Sequence, residues 1–186
     1  ARSPNTAKRC ASHRPTCAKP FKNALQPGLC PAVQRPFFFS AMARIVFDLP
    51  PYFGFCTEMQ IYISHVNQGG HLDNAQLLSL VSEARVRFFQ SLGYPEADVG
   101  GLSIVVGDIV AQYKSEGFHG ETMRVEMTPQ DFNRYGCDLV FRMTELSTRR
   151  EVARGKIGVV FIDRTARKPA PIPETVRERL AAMAEG

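Results

Sequence analysis

From Asn74 to Leu92 the apolar residues Leu77, Leu80, Val81, Ala84, Phe88 and Leu92 recur at steps of three and four. That spacing lines one face of an α-helix. Asp73 and Asn74 both suit the capping position at its start. Gly93 suits the left-handed residue that ends a helix, and Pro95 bars continuation. At about 1.5 Å per residue the helix is roughly 28 Å long, enough to cross a small domain. Leu78, Val86 and Phe89 lie outside the main stripe, so the helix should be wrapped on several sides. Whatever the chain folds into must provide that wrapping.

The rest of the body supplies strands. A first apolar run, Thr57 to Ser64, precedes the helix. Four more follow it without another helix between them: about Ser103–Ser115, Glu121–Gln130, Gly136–Leu146 and Glu151–Asp163. Their separations are short and polar (Glu116-Gly117, Asp131-Phe132-Asn133, Ser147-Thr148-Arg149), the punctuation of antiparallel hairpins. In the second of the four, Met123, Val125 and Met127 alternate with Arg124, Glu126 and Thr128. In the last, Ala153, Ile157, Val159 and Phe161 alternate with Arg154 and Lys156. Such alternation buries one face and wets the other. Pro50-Pro51 bars regular structure before the first strand. A proline-rich link from Lys168 to Pro173 leads into a short helix, Glu174 to Met183. The expected fold is α+β: a five-stranded antiparallel sheet curled around a long central helix, with a short C-terminal helix.

Composition limits what such a domain can do. The chain has 186 residues, 44% of them hydrophobic, and a net charge of +5. Residues 1–41 hold seven of the 23 Lys/Arg and none of the 18 Asp/Glu, so the basic character belongs to that stretch. The remainder has a slight acid excess and does not read as a nucleic-acid binder. We expect residues 1–41 to be a disordered basic leader and residues 44–184 to be the folded domain. No apolar run is long enough to span a membrane. The five cysteines show no metal-ligand spacing, and free thiols fit a reduced, cytoplasmic compartment. An organellar location is the alternative, should the basic leader be a transit peptide.

The chemistry is expected in the turn before the helix, Asn67-Gln68-Gly69-Gly70-His71-Leu72-Asp73-Asn74. Gly69 and Gly70 can bring bare backbone amides close to a ligand, and a helix start favours negative charge. Their amides could form an oxyanion hole, with Asn67 and His71 orienting water or substrate. Each also has a plain reading: Asn67 as turn-former, Gly69-Gly70 as tight turn, His71 as a backbone-bonded turn histidine. Glu83 sits on a polar helix face with Gln76, Ser79 and Arg87, where a solvated i,i+4 pair with Arg87 is the plain reading.

Together these residues resemble the hot-dog-fold acyl-CoA thioesterases of the 4-hydroxybenzoyl-CoA thioesterase type. There, a strand ends in Asp-x-x-x-His-(Val/Leu)-x-Asn before a helix carrying Glu-Ala-Arg and aromatics. Here Asn67, His71 and Asn74 occupy the turn, followed by Glu83-Ala84-Arg85 and Phe88-Phe89. The similarity runs over roughly residues 57–180. It implies hydrolysis of an acyl-CoA thioester by a homodimer or homotetramer, with no cofactor because CoA is part of the substrate. It also implies catalytic roles for Asn67, His71 and Glu83, with Glu83 or another, unidentified carboxylate as base, and an oxyanion site at Gly69 and Gly70. Arg167 and Lys168 could meet the CoA phosphates.

One residue departs from the pattern. The usual aspartate is Asn67, and an amide cannot act as a carboxylate base or nucleophile at neutral pH. Two alternatives stand beside the thioesterase reading: a hot-dog hydratase or dehydratase acting on thioester-linked acyl chains, whose Asp-x-Asn-Pro-x-His-x-Asp stretch residues 67–73 loosely resemble, or a non-catalytic acyl-CoA-binding module, which Asn67 favours.

Overall fold

The computed structural model describes residue 45 and residues 47–185. The expected leader, residues 1–41, lies outside the described residues. Strand β1 spans Phe55–Gln60, helix α1 Asn74–Ser91, β2 Ser103–Tyr113, β3 Thr122–Gln130, β4 Gly136–Glu145 and β5 Glu151–Asp163. A two-residue strand, β6 (Lys168–Pro169), and helix α2 (Glu174–Glu185) complete the order. The sheet runs β1-β3-β4-β5-β2, antiparallel throughout, with β6 pairing only with β5.

Helix α1 follows its sequence closely. The Asp73 carboxylate accepts from the amides of Ala75, at 2.8 Å, and Gln76, at 3.4 Å. Gly93 takes the left-handed conformation, φ +84°, at the other end. Leu77, Leu80, Val81, Ala84, Phe88 and Phe89 are all buried. They meet the alternating apolar residues of the sheet: Met123, Val125 and Met127 of β3, Leu139, Phe141 and Met143 of β4, Ile157 and Phe161 of β5. The result is the expected five-stranded sheet curled around one long helix.

Three local expectations are corrected. The first strand ends at Gln60, and Ile63–His65 form a 3-10 turn instead of continuing to Ser64. Thr128, expected on the wet face, is buried because α2 closes over that end of β3 and its hydroxyl donates to the Met183 carbonyl. The separation around Glu116-Gly117 is no hairpin. β2 pairs with β5 at one edge, whereas β3 sits between β1 and β4. Residues 114–121 therefore cross from one side of the sheet to the other, passing under the start of α1. Gly117 makes that passage possible. A Cβ there would lie 2.9 Å from the Ile61 side chain and 3.4 Å from that of Leu72. The other two separations are tight hairpins, as expected.

The sheet face away from α1 is crossed by the segment before β1. Gln112 of β2 donates to the Ile45 carbonyl at 2.8 Å, and Arg154 of β5 donates to the Phe47 carbonyl at 3.2 Å. The Arg142 guanidinium of β4 stacks over the Phe53 ring at 4.9 Å. Gln112, Arg154 and Arg142 share one cross-strand row, so the strap runs across the strands.

Candidate active site

The turn between β1 and α1 is closed by its own backbone. Asn67 N donates to His71 O at 3.0 Å, and Gly70 N donates to Asn67 O at 3.0 Å. A bridge between Val66 and Leu72 continues the closure, and Asp73 N donates to His65 O at 2.9 Å. Gly70 sits at φ +83°, where a side chain would be strained.

The Asn67 amide spans the turn. Its Oδ1 accepts from Gly69 N at 2.8 Å, and its Nδ2 lies 3.3 Å from His71 Nδ1. With the oxygen engaged by Gly69, the Asn67 nitrogen is the donor and His71 Nδ1 the acceptor. The neutral imidazole then carries its proton on Nε2. Gly69 gives the ring its place: a Cβ on Gly69 would lie 2.8 Å from His71 Nε2 and 3.1 Å from Asn67 Oδ1. Both glycine amides are thus already taken, one by the Asn67 side chain and one by its carbonyl. The Gly69 and Gly70 amides, expected from sequence to face a ligand, already have partners within the turn, and the Nε2 proton of His71 is a further donor beside them.

The crossover loop is stitched to the turn. Leu72 N donates to Gly117 O at 2.7 Å, and His71 bridges to Phe118. Arg150 holds the loop from the other side, donating to Ser115 Oγ at 3.1 Å, to the Glu116 carbonyl, and to the Glu121 carboxylate at 2.7 Å. Between turn, loop and helix start lies a cavity of about 250 Å³. Asn67, His71, Asn74, Tyr113, Ser115 and Glu116 bring polar groups to its wall, and Leu72, Leu77 and Val152 make the wall partly apolar. Burial, with the Asp73 carboxylate adding to it, pushes the Tyr113 phenol up from its ordinary value. That phenol stays protonated and able to donate at neutral pH. Sequence reasoning placed Asn67 and His71 here but missed Tyr113, at the end of β2, and Ser115 and Glu116, which reach the cavity through the crossover.

The other expected residues lie elsewhere within the chain. Glu83 is about 14 Å along α1 from Asn74, at 1.5 Å per residue, and is not part of the cavity wall. Its carboxylate pairs with Arg87 at 2.8 Å, both side chains being largely solvated. Arg87 in turn donates to Thr57 Oγ1 and to the Glu58 carbonyl. Arg167 and Lys168 are exposed beyond the far end of β5. The cavity adjoins the end where Tyr113 pairs with Ala153, whereas Ser103 pairs with Ile162 at the other end. Nine strand residues separate the two ends, roughly 30 Å at 3.3 Å each.

Among the described residues no cluster of three His, Cys, Asp or Glu side chains could hold a metal ion, and no helix is long and apolar enough to cross a membrane. Burial pushes the Cys137 thiol up to about 12, so it carries no thiolate for nucleophilic attack at neutral pH.

Known proteins share this fold. A family model described as the thioesterase-like superfamily matches residues 62–180. No curated protein matches the sequence. A 1,4-dihydroxy-2-naphthoyl-CoA thioesterase from Synechocystis superposes with a TM-score of 0.63 at 18% identity, over 68% of this chain and 95% of that one. A Thermus thermophilus thioesterase solved with coenzyme A and Zn gives 0.62 at 25% identity, over 70% and 95%. A Staphylococcus aureus protein solved in complex with CoA gives 0.64 at 17% identity, over 69% and 82%.

Proposed function

The chain belongs to the thioesterase-like superfamily, and we propose that it hydrolyses an acyl-CoA thioester to the free acid and CoA at the cavity between Asn67, His71 and Tyr113. The observation that carries this reading is the Asn67–His71 pair, held together on the wall of a partly apolar cavity. Two of the superposing structures hold CoA, which supports a CoA ester as the ligand class.

In this reading the thioester carbonyl accepts the His71 Nε2 proton as a hydrogen bond, and that bond strengthens as charge gathers on the oxygen. Asn67 fixes the tautomer and ring position, so no reorganisation is needed when the charge appears. Water adds to the carbonyl carbon, the tetrahedral intermediate collapses, and the C–S bond breaks. Leu72, Leu77 and Val152 take the first atoms of the acyl group.

The cavity is smaller than the roughly 300–1,000 Å³ usual for ligand sites, which favours completion by a second copy. β2 is the edge that offers one. It is 11 residues long, and Val105, Val106, Ile109 and Tyr113 on it are exposed. A long apolar edge invites strand pairing, and a two-fold axis satisfies it with one contact. Antiparallel pairing of β2 with its copy lays the Ser103 end of one subunit beside the Tyr113 end of the other. The partner's Arg167 and Lys168, remote in their own subunit, then approach this cavity and can meet the CoA phosphates. A homodimer, or a homotetramer built from it, is the functional unit in this account.

A thiol-release assay over a panel of short, long and aromatic acyl-CoA esters tests the reading. Release of free CoA thiol is expected for at least one class. Hydration or dehydration without thiol release would favour the hydratase reading, and binding without chemistry would favour the binding module.

A further inference from the structure

We infer that Glu116, on the loop crossing from β2 to β3, is the general base of the reaction proposed above, and the inference rests on that proposal. Attack by water on a thioester needs a group to take the water proton, and Asn67 cannot be that group. Among the described residues, Glu116 is the one acidic residue on the cavity wall that also carries Asn67, His71 and Asn74.

The neighbouring carboxylates are committed. Asp73 caps α1 through the Ala75 and Gln76 amides. Glu121 holds Arg150 and the Phe118 amide. Glu151 is held by Arg154, and Glu83 is paired with Arg87 away from the cavity. The Glu116 carboxylate enters no ion pair and accepts no hydrogen bond among the described residues. Its backbone, by contrast, is pinned. Arg150 donates to its carbonyl and to the preceding Ser115 hydroxyl, and the following Gly117 carbonyl accepts from Leu72 N at 2.7 Å. A fixed main chain with a free carboxylate suits a base that must accept and then return a proton.

The step balances within the chain and its substrate. Glu116 takes one proton from the attacking water as the water oxygen bonds to the thioester carbon. The C–S bond breaks on collapse of the intermediate, and the CoA thiolate takes the proton back from the Glu116 carboxyl group. The carboxylate is regenerated, and the products are the acid and the thiol.

The test is Glu116→Gln in the full chain, assayed by thiol release on the best ester of the panel, with Glu116→Asp beside it. Removing a general base costs about 10²- to 10⁴-fold. We expect kcat for Glu116→Gln to fall by at least 100-fold with KM within threefold of wild type, and the melting temperature to stay unchanged because the side chain is exposed and unbonded. Glu116→Asp should recover part of the lost rate. If Glu116→Gln turns over within threefold of the wild type, the assignment of the base is overturned while the thioesterase reading stands. If the wild type releases no thiol from any ester, the reading falls and this assignment with it.

Discussion

Asn67 Nδ2 lies 3.3 Å from His71 Nδ1 while Asn67 Oδ1 accepts from Gly69 N at 2.8 Å. One amide therefore does two jobs, holding the turn with its oxygen and setting the imidazole tautomer with its nitrogen. A carboxylate at this position would hold the turn but set the opposite tautomer. Asn67→Asp keeps the bond from Gly69 but faces His71 Nδ1 with an acceptor, which draws the imidazole proton to Nδ1 and strips the donor from Nε2. We expect kcat to fall 10- to 1,000-fold, in the range for a lost oxyanion donor. Unchanged turnover in this variant would show that the tautomer does not matter.

Gly69 and Gly70 separate function from stability. Gly69→Ala places a methyl 2.8 Å from His71 Nε2, so the ring must shift and turnover should drop at least tenfold, with little change in melting temperature. Gly70→Ala meets no atom within 4 Å but is forced to φ +83°, which costs about 1–2 kcal/mol of stability and should spare kcat. Reversal of these two effects would contradict the account of the turn.

Much of this architecture was legible in the sequence. The 3.6-residue stripe of α1, its Asp73 cap and Gly93 stop, and the alternation of β3 and β5 are local patterns that packing then used. The pairing of β2 with β5 was not legible, because which strands become neighbours is decided by non-local packing, and a polar spacer reads the same in a hairpin and a crossover. The strap before β1 has no periodicity to announce it. The engaged glycine amides depend on how the Asn67 side chain turns, and Glu116 is an exposed loop residue whose only signal is its neighbours in space.

Glu83 offers a plain contrast. Its pair with Arg87 is solvated, at 41% and 49% side-chain exposure for Arg87 and Glu83. Such i,i+4 pairs contribute about 0.3–0.5 kcal/mol. Glu83→Gln should lower stability by no more than that in chemical denaturation and leave turnover near the wild-type value. A loss of 100-fold or more would restore Glu83 as the base and remove Glu116 from that role.

Acid stability should show the hairpin between β4 and β5. The Glu145 carboxylate accepts from the Thr148 hydroxyl and from the amides of Ser147 and Thr148, which hold its pKa down to about 2 from an ordinary value of 4.5. A carboxylate with a lowered folded-state pKa stabilises the fold above the unfolded value and loses that contribution as pH falls through the folded one. Between about pH 4.5 and pH 2 the wild type should therefore lose stability more steeply than Glu145→Gln, by melting temperature against pH. Parallel curves in that window would contradict the hydrogen-bonded turn.

The β2 edge can be tested without touching the cavity wall. Ile109→Lys puts a charge in the middle of an exposed apolar edge, which disfavours strand pairing. Light scattering should find the wild type as a dimer or tetramer and the variant shifted to monomer, with activity falling alongside. A wild type that is monomeric and fully active at nanomolar concentration would rule out a shared site.

The most direct test of the whole account is the rate of CoA thiol release by His71→Ala relative to the wild type on the best ester of the panel. If His71 Nε2 donates to the thioester oxygen, the wild type hydrolyses that ester and the variant, still folded, is slower by 10- to 1,000-fold. A folded His71→Ala that releases thiol as fast as the wild type would place the chemistry somewhere other than this turn.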